Sequence, residues 1–522
     1  MCKLTKEIKS IAVLALGKIG KEKENRKVYI TNKKLQQTFP VGEKVKINYD
    51  TAKQQIIVDK ADFMTGNHTI SKKGNGTPVL DIKGKDVVNT FGPDVEKIEV
   101  LFFEDQIVIK VSKTEKFKAQ RTNKKGLNTF ELFCGGGTLS HFFKRAGFNI
   151  KGGLELNQDY LAMFHENNPG EEIYSINGRL EDIHTSYYPK DIDLALLGIP
   201  CLTFSTANVA LQKALKNKKE GKPYDEKEIQ KAAYGESLTF YALTAIRAMN
   251  PKTIVVEEVV PYASTSSAYM LRTVLAQMGY KITETISSGS NTKRPRWVLV
   301  ANMESEINLD NLVDTTAQTI ADCLELSVDE RDWFTKEEFP PSRLNEKIGI
   351  RSCTPNDHLC NTITTNDRRG TEPILKHPTK ELYSRFTNRE VANIHGIDKS
   401  FKLDDRKIIG REILGQGVSD MFLTVAQRIK DSEKKDATIS LIINTEISDK
   451  LVSGLTPVTY PCKVDTKTNQ VEVHMERIIA KNDYEFLSEL DPTGTAMFDN
   501  INIEMDGISS KIEMDGASIR LV

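Results

Sequence analysis

From Leu127 onward, short apolar stretches alternate with segments whose apolar residues recur at helical spacing. Strands are predicted at 128–133, 150–156, 192–197 and 253–257, and helices at 138–146, 158–167, 237–249 and 268–278. Such alternation is typical of parallel strands joined by helical crossovers. We therefore predict an α/β fold for this part of the chain: a doubly wound, mostly parallel sheet with helices on both faces.

Basic and acidic residues are unevenly distributed, although the net charge of the chain is zero. Residues 1–126 contain 26 Lys and Arg against 15 Asp and Glu, so the remainder is acidic by the same margin. A basic segment joined to an acidic body favours contact between that segment and a polyanion. A Lys-rich surface that is merely solvated would give the same composition.

Length and composition describe an ordinary globular chain, with 522 residues, 39% hydrophobic and 28% charged. That length allows about three domains. No apolar run approaches the roughly 20 residues of a membrane helix, and the N-terminus lacks the pattern of a secretion signal. Seven unevenly spaced cysteines and eight histidines indicate neither a disulfide framework nor a metal site. We expect a cytoplasmic protein with reduced thiols.

Residues 1–112 are β-rich and contain one pattern twice. Residues 45–49 and 55–58 alternate apolar and polar side chains around a turn, which predicts a hairpin. Residues 98–100 and 106–109 repeat the pattern, which we interpret as an internal duplication. The unit loosely resembles swapped-hairpin DNA-binding domains of the AbrB type; a structural or oligomerisation module is the alternative. The basic stretch 113–126 lacks an apolar period and is interpreted as a linker.

A glycine-rich turn, Phe133-Cys134-Gly135-Gly136-Gly137, follows the first strand of the alternating region. A turn of this kind at the start of a helix brings the backbone close to a polar ligand. The next strand ends at Glu155, where an acid that binds ribose is expected. A nicotinamide cofactor would use the same elements. The later helical position holds Leu139 and Ser140 instead of a third glycine, which favours S-adenosylmethionine, a ligand without a pyrophosphate.

Cys201 follows Pro200 at the end of a buried strand, a placement that suits a nucleophile. A thiolate adds to carbon 6 of a pyrimidine only if the ring is made electrophilic, for example by a carboxylic acid at ring nitrogen 3. Glu257 is the candidate acid, and Arg294 and Arg296 would hold the base or stabilise the thiolate. Each residue also has a structural explanation without catalysis. Cys201 would be a small buried side chain, Glu257 would lie at a solvated strand end, and the two arginines would belong to a surface strand.

The order of these elements closely resembles that of the cytosine-5 DNA methyltransferase family over residues 127–431. Pro200-Cys201-Leu202-Thr203-Phe204-Ser205 matches the nucleophile motif Pro-Cys-Gln-x-Phe-Ser, and Glu257-Glu258-Val259 matches Glu-Asn-Val. The other matching segments are 131–137 with 146–148, 292–296, 361–365, 385–396 and 415–418.

The resemblance implies methylation of carbon 5 of a cytosine flipped out of double-stranded DNA, with S-adenosylmethionine as methyl donor. Cys201 would form the covalent adduct, Glu257 would engage the ring nitrogen, and Arg294 and Arg296 would steady the thiol and base. The residues implied for the cofactor are Phe133, Gly135, Gly137, Glu155, Asp182 and Val418, with Asn177 as the alternative to Asp182. Segment 211–231 would be a mobile loop over the base, with Lys213, Lys216, Lys218 and Lys219 on the DNA.

The resemblance also divides the chain. It implies a Rossmann-like methyltransferase sheet at 127–301, an inserted target-recognition lobe at 302–384 and a return segment at 385–431 that completes the catalytic domain. Residues 432–522 form a β-rich extension with a short repeat at 503–507 and 512–516, for which the sequence suggests no role. A DNA substrate implies association with the nucleoid, and a partner restriction endonuclease would fit such an enzyme.

Four positions depart from the family: Leu202, Glu258, Thr292 and Gln416 stand where the family usually has Gln, Asn, Gln and Asn. Glu258 puts a second carboxyl beside Glu257, although neighbours on a strand point to opposite faces. An active DNA methyltransferase is the first hypothesis. The alternatives are a DNA- and cofactor-binding regulatory protein with lost or altered turnover, and an RNA cytosine-5 methyltransferase.

Overall fold

The computed structural model describes residues 10–18, 25–31, 33–200, 209–338, 351–365 and 373–433, together with short strands between 439 and 521. The chain falls into two compact units, Met1–Ala426 and Gln427–Val522. Among the described helices, none is long and apolar enough to cross a membrane.

The first unit begins with two repeats of the same six elements. The first repeat comprises β1 (Ser10–Ala15), β2 (Gly17–Lys18), β3 (Arg26–Ile30), α1 (Lys33–Thr38), β4 (Lys44–Asp50) and β5 (Gln55–Lys60). The second comprises β6 (His68–Thr69), β7 (Ser71–Lys72), β8 (Pro78–Gly84), α2 (Lys85–Phe91), β9 (Lys97–Phe102) and β10 (Gln106–Val111). The strands form a six-stranded sheet in the order β1-β9-β10-β5-β4-β6 and a four-stranded sheet in the order β2-β3-β8-β7.

The two repeats are related by an approximate two-fold axis. Each sheet order is restored when the repeats are exchanged and the order is read from the other end. Across β3 and β8, Val28 of the first repeat pairs with Ile82, the counterpart of Ile30, and Ile30 pairs with Leu80, the counterpart of Val28. All four side chains are buried in one shared core. The repeats therefore pack on each other as the subunits of a symmetric dimer do.

The basic stretch interpreted as a linker is largely helical, since α3 spans Lys113–Thr122. Arg121 on this helix is 3% exposed and donates a hydrogen bond to Asn250 Oδ1 at 2.8 Å. The Asn250 amide donates in turn to the backbone oxygen of Phe117 at 3.1 Å. Polar contacts with the next domain thus fasten the helix, which explains why it forms without an apolar period.

The central sheet contains the alternation found in the sequence. Its elements are β11 (Asn128–Leu132), α4 (Thr138–Arg145), β12 (Asn149–Glu155), α5 (Gln158–Asn167), β13 (Tyr174–Asn177), β14 (Leu194–Gly198), α6 (Val209–Lys219), α7 (Glu226–Met249), β15 (Thr253–Val259), α8 (Ser266–Gln277), β16 (Lys281–Gly289) and β17 (Thr292–Asn302). The strand order is β13-β12-β11-β14-β15-β17-β16. Of these seven strands only β17 runs in the opposite direction, since it pairs antiparallel with both β15 and β16. The predicted doubly wound, mostly parallel sheet is confirmed.

One face of this sheet carries a large apolar core. Strand residues such as Leu197 and Val256 pack there with α7 and α8 through Ala242 and Leu271. All four are buried, and removing each such side chain from water stabilises the fold by about 1–3 kcal/mol. This core holds the strand ends, and hence the residues beyond them, in fixed positions.

The chain then leaves the sheet and returns to it. The inserted segment contains α9 (Ile320–Cys323), β18 (Ser352–Cys353), β19 (Cys360–Asn361), β20 (Ile374–Lys376) and β21 (Tyr383–Ser384). The return consists of α10 (Asn388–Ile394), α11 (Lys407–Gln416) and α12 (Met421–Glu433). Arg331 of the insertion forms an ion pair with Glu390 of α10, and neither side chain has exposed surface. β19 pairs with the start of β17, which also fastens the insertion to the sheet.

The second unit is β-rich in its described residues. Its strands are β22 (Ile439–Ile442), β23 (Val458–Tyr460), β24 (Cys462–Asp465), β25 (Gln470–Val473), β26 (Asn502–Met505), β27 (Ile508–Asp515) and β28 (Ser518–Leu521). They are ordered β23-β22-β26-β27-β28-β25-β24. The repeated sequence at 503–507 and 512–516 falls mainly on β26 and β27, which pair with each other.

Candidate active site

The predicted site residues converge on one edge of the central sheet. Phe133 directly follows β11, Glu155 ends β12, Gly198 ends β14, and Glu257 lies two residues before the end of β15. These strands are parallel, so their carboxyl ends share the edge where ligands bind in such sheets. Cys201 lies outside the described residues, as does the rest of 201–208, although Pro200 immediately before it is described.

The glycine-rich turn adopts a backbone conformation that explains its composition. Gly135 and Gly137 have φ angles of 51° and 87°, in the left-handed region that glycine adopts without strain, and Phe133 lies in the same region with a φ of 58°. The Gly135 N–H donates to Glu155 Oε2 at 2.9 Å. The other carboxylate oxygen of Glu155 accepts the Asn157 N–H at the same distance. The turn and the predicted acid therefore form one connected surface at the sheet edge.

The structure separates the two candidates for the third contact with a cofactor. The Asn177 amide donates to the backbone oxygens of Glu155 and Leu156, at 2.9 and 3.1 Å, and thereby braces the neighbouring strand end. Asp182 lies exposed at the end of a short 3-10 helix on the same side of the sheet. This arrangement favours Asp182 over Asn177 as a group that contacts a ligand.

Leu156 and Tyr160 at this edge were not singled out from the sequence. Leu156 directly follows Glu155 and is 58% exposed, which leaves an apolar surface beside a carboxylate. Tyr160 donates to Glu412 Oε2 at 3.0 Å and accepts the Gln416 amide at 3.3 Å. Burial, together with Glu412, raises the pKa of Tyr160 to about 12. An exposed leucine and a half-buried tyrosine have no motif of their own, so only the fold reveals them.

The segment 415–418 closes the same edge. The Val418 N–H faces Thr138 Oγ1 at 3.4 Å, at the start of α4, and the Val418 side chain is 4% exposed. A Cβ atom on Gly417 would lie 3.0 Å from the Thr138 side chain, so the two segments are in close contact. Val418 therefore lies against the start of α4, directly after the glycine-rich turn.

Glu257 and Arg296 form a short ion pair at the centre of the edge. Arg296 Nε lies 2.6 Å from Glu257 Oε1, and the two residues are 9% and 8% exposed. A Cβ atom placed on Gly198 would lie 3.9 Å from Glu257 Oε2 and 3.8 Å from the backbone oxygen of Phe133. The carboxylate is thus next to the strand end that leads, three residues later, to Cys201.

Arg294 has a different environment from Arg296, although both were predicted to act on the thiol and base. Its guanidinium donates to the backbone oxygens of Ile363 and Gly415, at 3.1 and 2.8 Å, and the residue is 4% exposed. These bonds join the end of the insertion to the final motif. We therefore interpret Arg294 as a structural residue that holds these two segments together behind the site.

Glu258 occupies the opposite face of β15 from Glu257. It is 1% exposed and pairs across the strands with Trp297 of the apolar core. Burial, and then the neighbouring charge of Glu257, raises the pKa of Glu258 well above its ordinary value. The expectation that the two carboxyls point apart agrees with this placement.

His395 is completely buried behind the arginines. Burial, and then the charges of Arg294, Arg296 and Arg411, hold the pKa of His395 well below its ordinary value. The imidazole is therefore neutral at physiological pH, and it adds no positive charge behind Glu257.

A family model described as C-5 cytosine-specific DNA methylase matches residues 127–431, more than half of the chain. The chain belongs to this family. The type II methyltransferase M.NgoPII of Neisseria gonorrhoeae is 21% identical over 333 residues, which cover 55% of this chain and 92% of that protein. The structure is also similar to those of Dnmt2 from S. pombe (19% identity, 58% of this chain, 96% of that one) and EhMeth from Entamoeba histolytica (18%, 59% and 98%), each with a TM-score of 0.44.

Family membership makes the chain a C-5 cytosine methyltransferase, and the family uses S-adenosylmethionine. The sheet edge carries the glycine-rich turn, a carboxyl paired with an arginine, and a strand end that leads to a cysteine. Among the described residues, no group of His, Cys, Asp or Glu could hold a metal ion.

The Lys-rich segment of this methyltransferase differs from the predicted mobile loop, because most of 211–231 is helical in α6 and α7. Lys213, Lys216, Lys218 and Lys219 are exposed on α6, whereas Leu211 and Ala214 are buried. The two apolar residues are three apart and so share one face of the helix. That buried face accounts for the helix, which the high lysine content obscures in the sequence.

Proposed function

We propose that this methyltransferase transfers a methyl group from S-adenosylmethionine to carbon 5 of a flipped-out cytosine in duplex DNA, through a covalent adduct of Cys201. The observation that carries the proposal is the Glu257–Arg296 ion pair, 2.6 Å long, next to the strand end before Pro200 and Cys201. An acid held by a cation beside a cysteine is the arrangement that nucleophilic addition to a pyrimidine needs.

The residues at the glycine-rich turn fit the cofactor. A Cβ position on Gly135 has no atom within 4 Å, so a ligand has open space against that backbone. The Glu155 oxygens retain lone pairs for ribose hydroxyls, and exposed Leu156 offers an apolar surface to a purine ring. Phe133, Gly137, Asp182 and Val418 complete the proposed cofactor site. S-adenosylmethionine supplies an electrophilic methyl group there.

In the proposed mechanism, the protein first makes the cytosine ring nucleophilic at carbon 5. The Cys201 thiol would give its proton to the Glu257 carboxylate, and the resulting thiolate bonds to carbon 6 as Glu257 passes that proton to ring nitrogen 3, so the ring becomes an enamine. Carbon 5 would then take the methyl group, and the cofactor would leave as the thioether S-adenosylhomocysteine, while the proton on ring nitrogen 3 returns to Glu257. Water takes the carbon 5 proton, and the electrons of that bond expel the Cys201 thiolate and restore the aromatic ring. Arg296 holds the Glu257 carboxyl in place during these steps, and Arg294 braces the strand that carries Arg296.

Radiolabelled S-adenosylmethionine and mixed-sequence duplex DNA test this function. We expect label in DNA, and we expect the variant Cys201→Ser to transfer none. A second arm uses 5-fluorocytosine DNA with cofactor, which should become covalently joined to the intact protein. Binding of DNA and cofactor without label or adduct would instead identify a regulatory protein. Label in transfer RNA but not in DNA would identify an RNA methyltransferase.

The DNA contacts are proposed from charge. Lys213, Lys216, Lys218 and Lys219 are all exposed on one short helix, where they can reach phosphates. The repeat module at 1–112 is also basic, and we propose that it binds duplex without reading sequence. Deleting residues 1–120 should then weaken DNA binding and flatten its dependence on salt. An unchanged salt slope would show that the module has a structural role.

A further inference from the structure

Glu258 stands where the family has an amide, and its surroundings are those of an apolar core. It lies on the face of β15 that carries Ile254 and Val256, both part of the core beneath α7 and α8. Its cross-strand neighbour is Trp297, which is 2% exposed. Water therefore does not reach this carboxyl.

The carboxyl has one hydrogen-bond partner, and that partner is a backbone donor. Glu258 Oε2 accepts the N–H of Val259, while Oε1 is buried without a hydrogen-bond partner among the described residues. Pairing between β14 and β15 ends at Gly198 and Glu257. The Glu258 side chain thus holds the backbone of β15 just beyond the point where the neighbouring strand stops supporting it.

Charged groups near Glu258 do not compensate a negative charge. Arg296 is the nearby cation, but its guanidinium is paired with Glu257 at 2.6 Å on the other face. Glu257 itself carries the same sign and disfavours a second carboxylate. An ionised carboxyl without its own cation is far more costly to bury than a neutral acid.

The elements packed around Trp297 also direct their charges elsewhere. Arg272 of α8 and Glu284 of β16 pair with each other, at 2.6 Å between Nε and Oε1, and Glu284 also accepts the Trp297 indole N–H. The hydroxyl of Tyr262, in the turn after β15, lies 2.8 Å from Thr239 Oγ1. These neighbours supply no counter-charge to the Glu258 carboxyl.

We propose that Glu258 acts as a neutral carboxylic acid, a positioning residue that holds the end of β15 and leaves Arg296 to Glu257. A neutral carboxyl presents one donor and one acceptor, much as the amide of the family does. If it were ionised, it would compete with Glu257 for the charge of Arg296 and would disturb the strand end. The effect on rate rests on the proposed methyl transfer, whereas the protonation state does not.

Protonation is tested by unfolding the full chain in urea at a series of pH values. A carboxyl whose folded pKa is raised retains its proton in the folded state and loses it on unfolding above about pH 4.5, so its stabilising effect declines as pH rises towards the folded pKa. The unfolding constant of the wild type, relative to Glu258→Gln, should therefore rise about tenfold per pH unit from pH 5 upward. Glu104→Gln, at an exposed carboxyl, is the control and should show no such trend.

A constant ratio between wild type and Glu258→Gln from pH 5 to 8 would overturn the proposal. This measurement needs no enzymatic turnover, so it distinguishes failure of the proposal from failure of the proposed function.

The positioning role is tested by rates on duplex DNA. Glu258→Ala should lower kcat more than it raises KM for DNA, and Glu258→Gln should restore kcat. The Gln variant should also retain activity at alkaline pH, where the wild type declines. Equal alkaline profiles for wild type and Glu258→Gln, or an Ala variant as active as the Gln variant, would contradict the role. If the Ala variant does not fold, the Gln comparison alone decides.

Discussion

Glu257 and Glu258 are adjacent, of the same residue type and both largely buried, yet the two faces of the sheet give them opposite environments. Glu257 has an arginine at 2.6 Å and opens towards the strand end before the cysteine. Glu258 faces Trp297 and accepts one backbone N–H. The difference teaches that burial alone does not define the role of a carboxyl, because Glu257 has a cation paired with it and Glu258 has none among the described residues.

The most severe test of this comparison removes the acid on the site face. Glu257→Gln keeps the size of the side chain but cannot give a proton to the ring, so methyl transfer should fall about 10²–10⁴-fold. Initial rates with labelled cofactor and DNA measure the effect, and the thermal unfolding midpoint serves as the control for folding. A rate within threefold of the wild type would show that Glu257 is not the acid.

Removing the cation should affect stability more than any other change at this site. Arg296→Ala leaves the Glu257 carboxylate buried and unpaired, which should cost about 3–5 kcal/mol in urea unfolding. The double variant Arg296→Ala with Glu257→Gln should regain part of that loss, because no unpaired charge remains. If the double variant is no more stable than Arg296→Ala, the pair is not coupled in the way that the structure indicates.

Glu131 tests whether a carboxyl that is buried without a cation also keeps its proton on the sheet face that carries Glu257. It lies on the face opposite Phe130 and Leu132 of the apolar core, and its burial raises its pKa to about 8. Because the folded pKa exceeds the ordinary value of 4.5, stability should decline between about pH 4.5 and pH 8.

Relative to Glu131→Gln, the wild type should lose about 1.4 kcal/mol of unfolding free energy per pH unit in that range. Parallel stability curves for the two proteins would mean that the Glu131 carboxyl is ionised despite its burial.

The smallest expected effect extends the comparison to cations, from buried arginine to exposed lysine. Replacing Lys213, Lys216, Lys218 and Lys219 by Gln should leave the unfolding midpoint unchanged, because all four side chains are exposed. The slope of log affinity for duplex DNA against log salt should become shallower by up to about 3.6. Fluorescence anisotropy at several salt concentrations measures it, and an unchanged slope would remove α6 from the proposed DNA surface.

Much of the central fold could be predicted because its signals are local. Apolar alternation marks each strand, and the spacing from the glycine-rich turn to Glu155 reflects one strand–helix–strand unit. Motif order assigns Glu257 and Arg296 to one site, but it does not predict that the two side chains form an ion pair. The different environment of Arg294 could not, since its backbone acceptors, Ile363 and Gly415, are distant in sequence.

Two helices, α3 and α6, were not predicted from the sequence, and for the same reason: tertiary contacts stabilise each of them although its local sequence pattern does not indicate a helix. α3 is fastened by the buried Arg121 and its bond to Asn250. α6 forms over two buried residues, Leu211 and Ala214, within a lysine-rich run. Leu156 and Tyr160 escaped notice for a related reason, since their importance lies in which strand end they border. Such properties exist only after the chain has folded.

The symmetric repeats at the N-terminus have a consequence for how this part of the protein assembles. Two separate chains that pair in this way dissociate on dilution. The two repeats of this protein are instead joined by a short stretch of backbone, so they meet at a high and fixed effective concentration. Formation of the shared core is therefore a first-order event within one molecule. Because the two repeats are different segments of one sequence, a substitution in one does not change the other. One repeat can therefore acquire contacts that the other lacks.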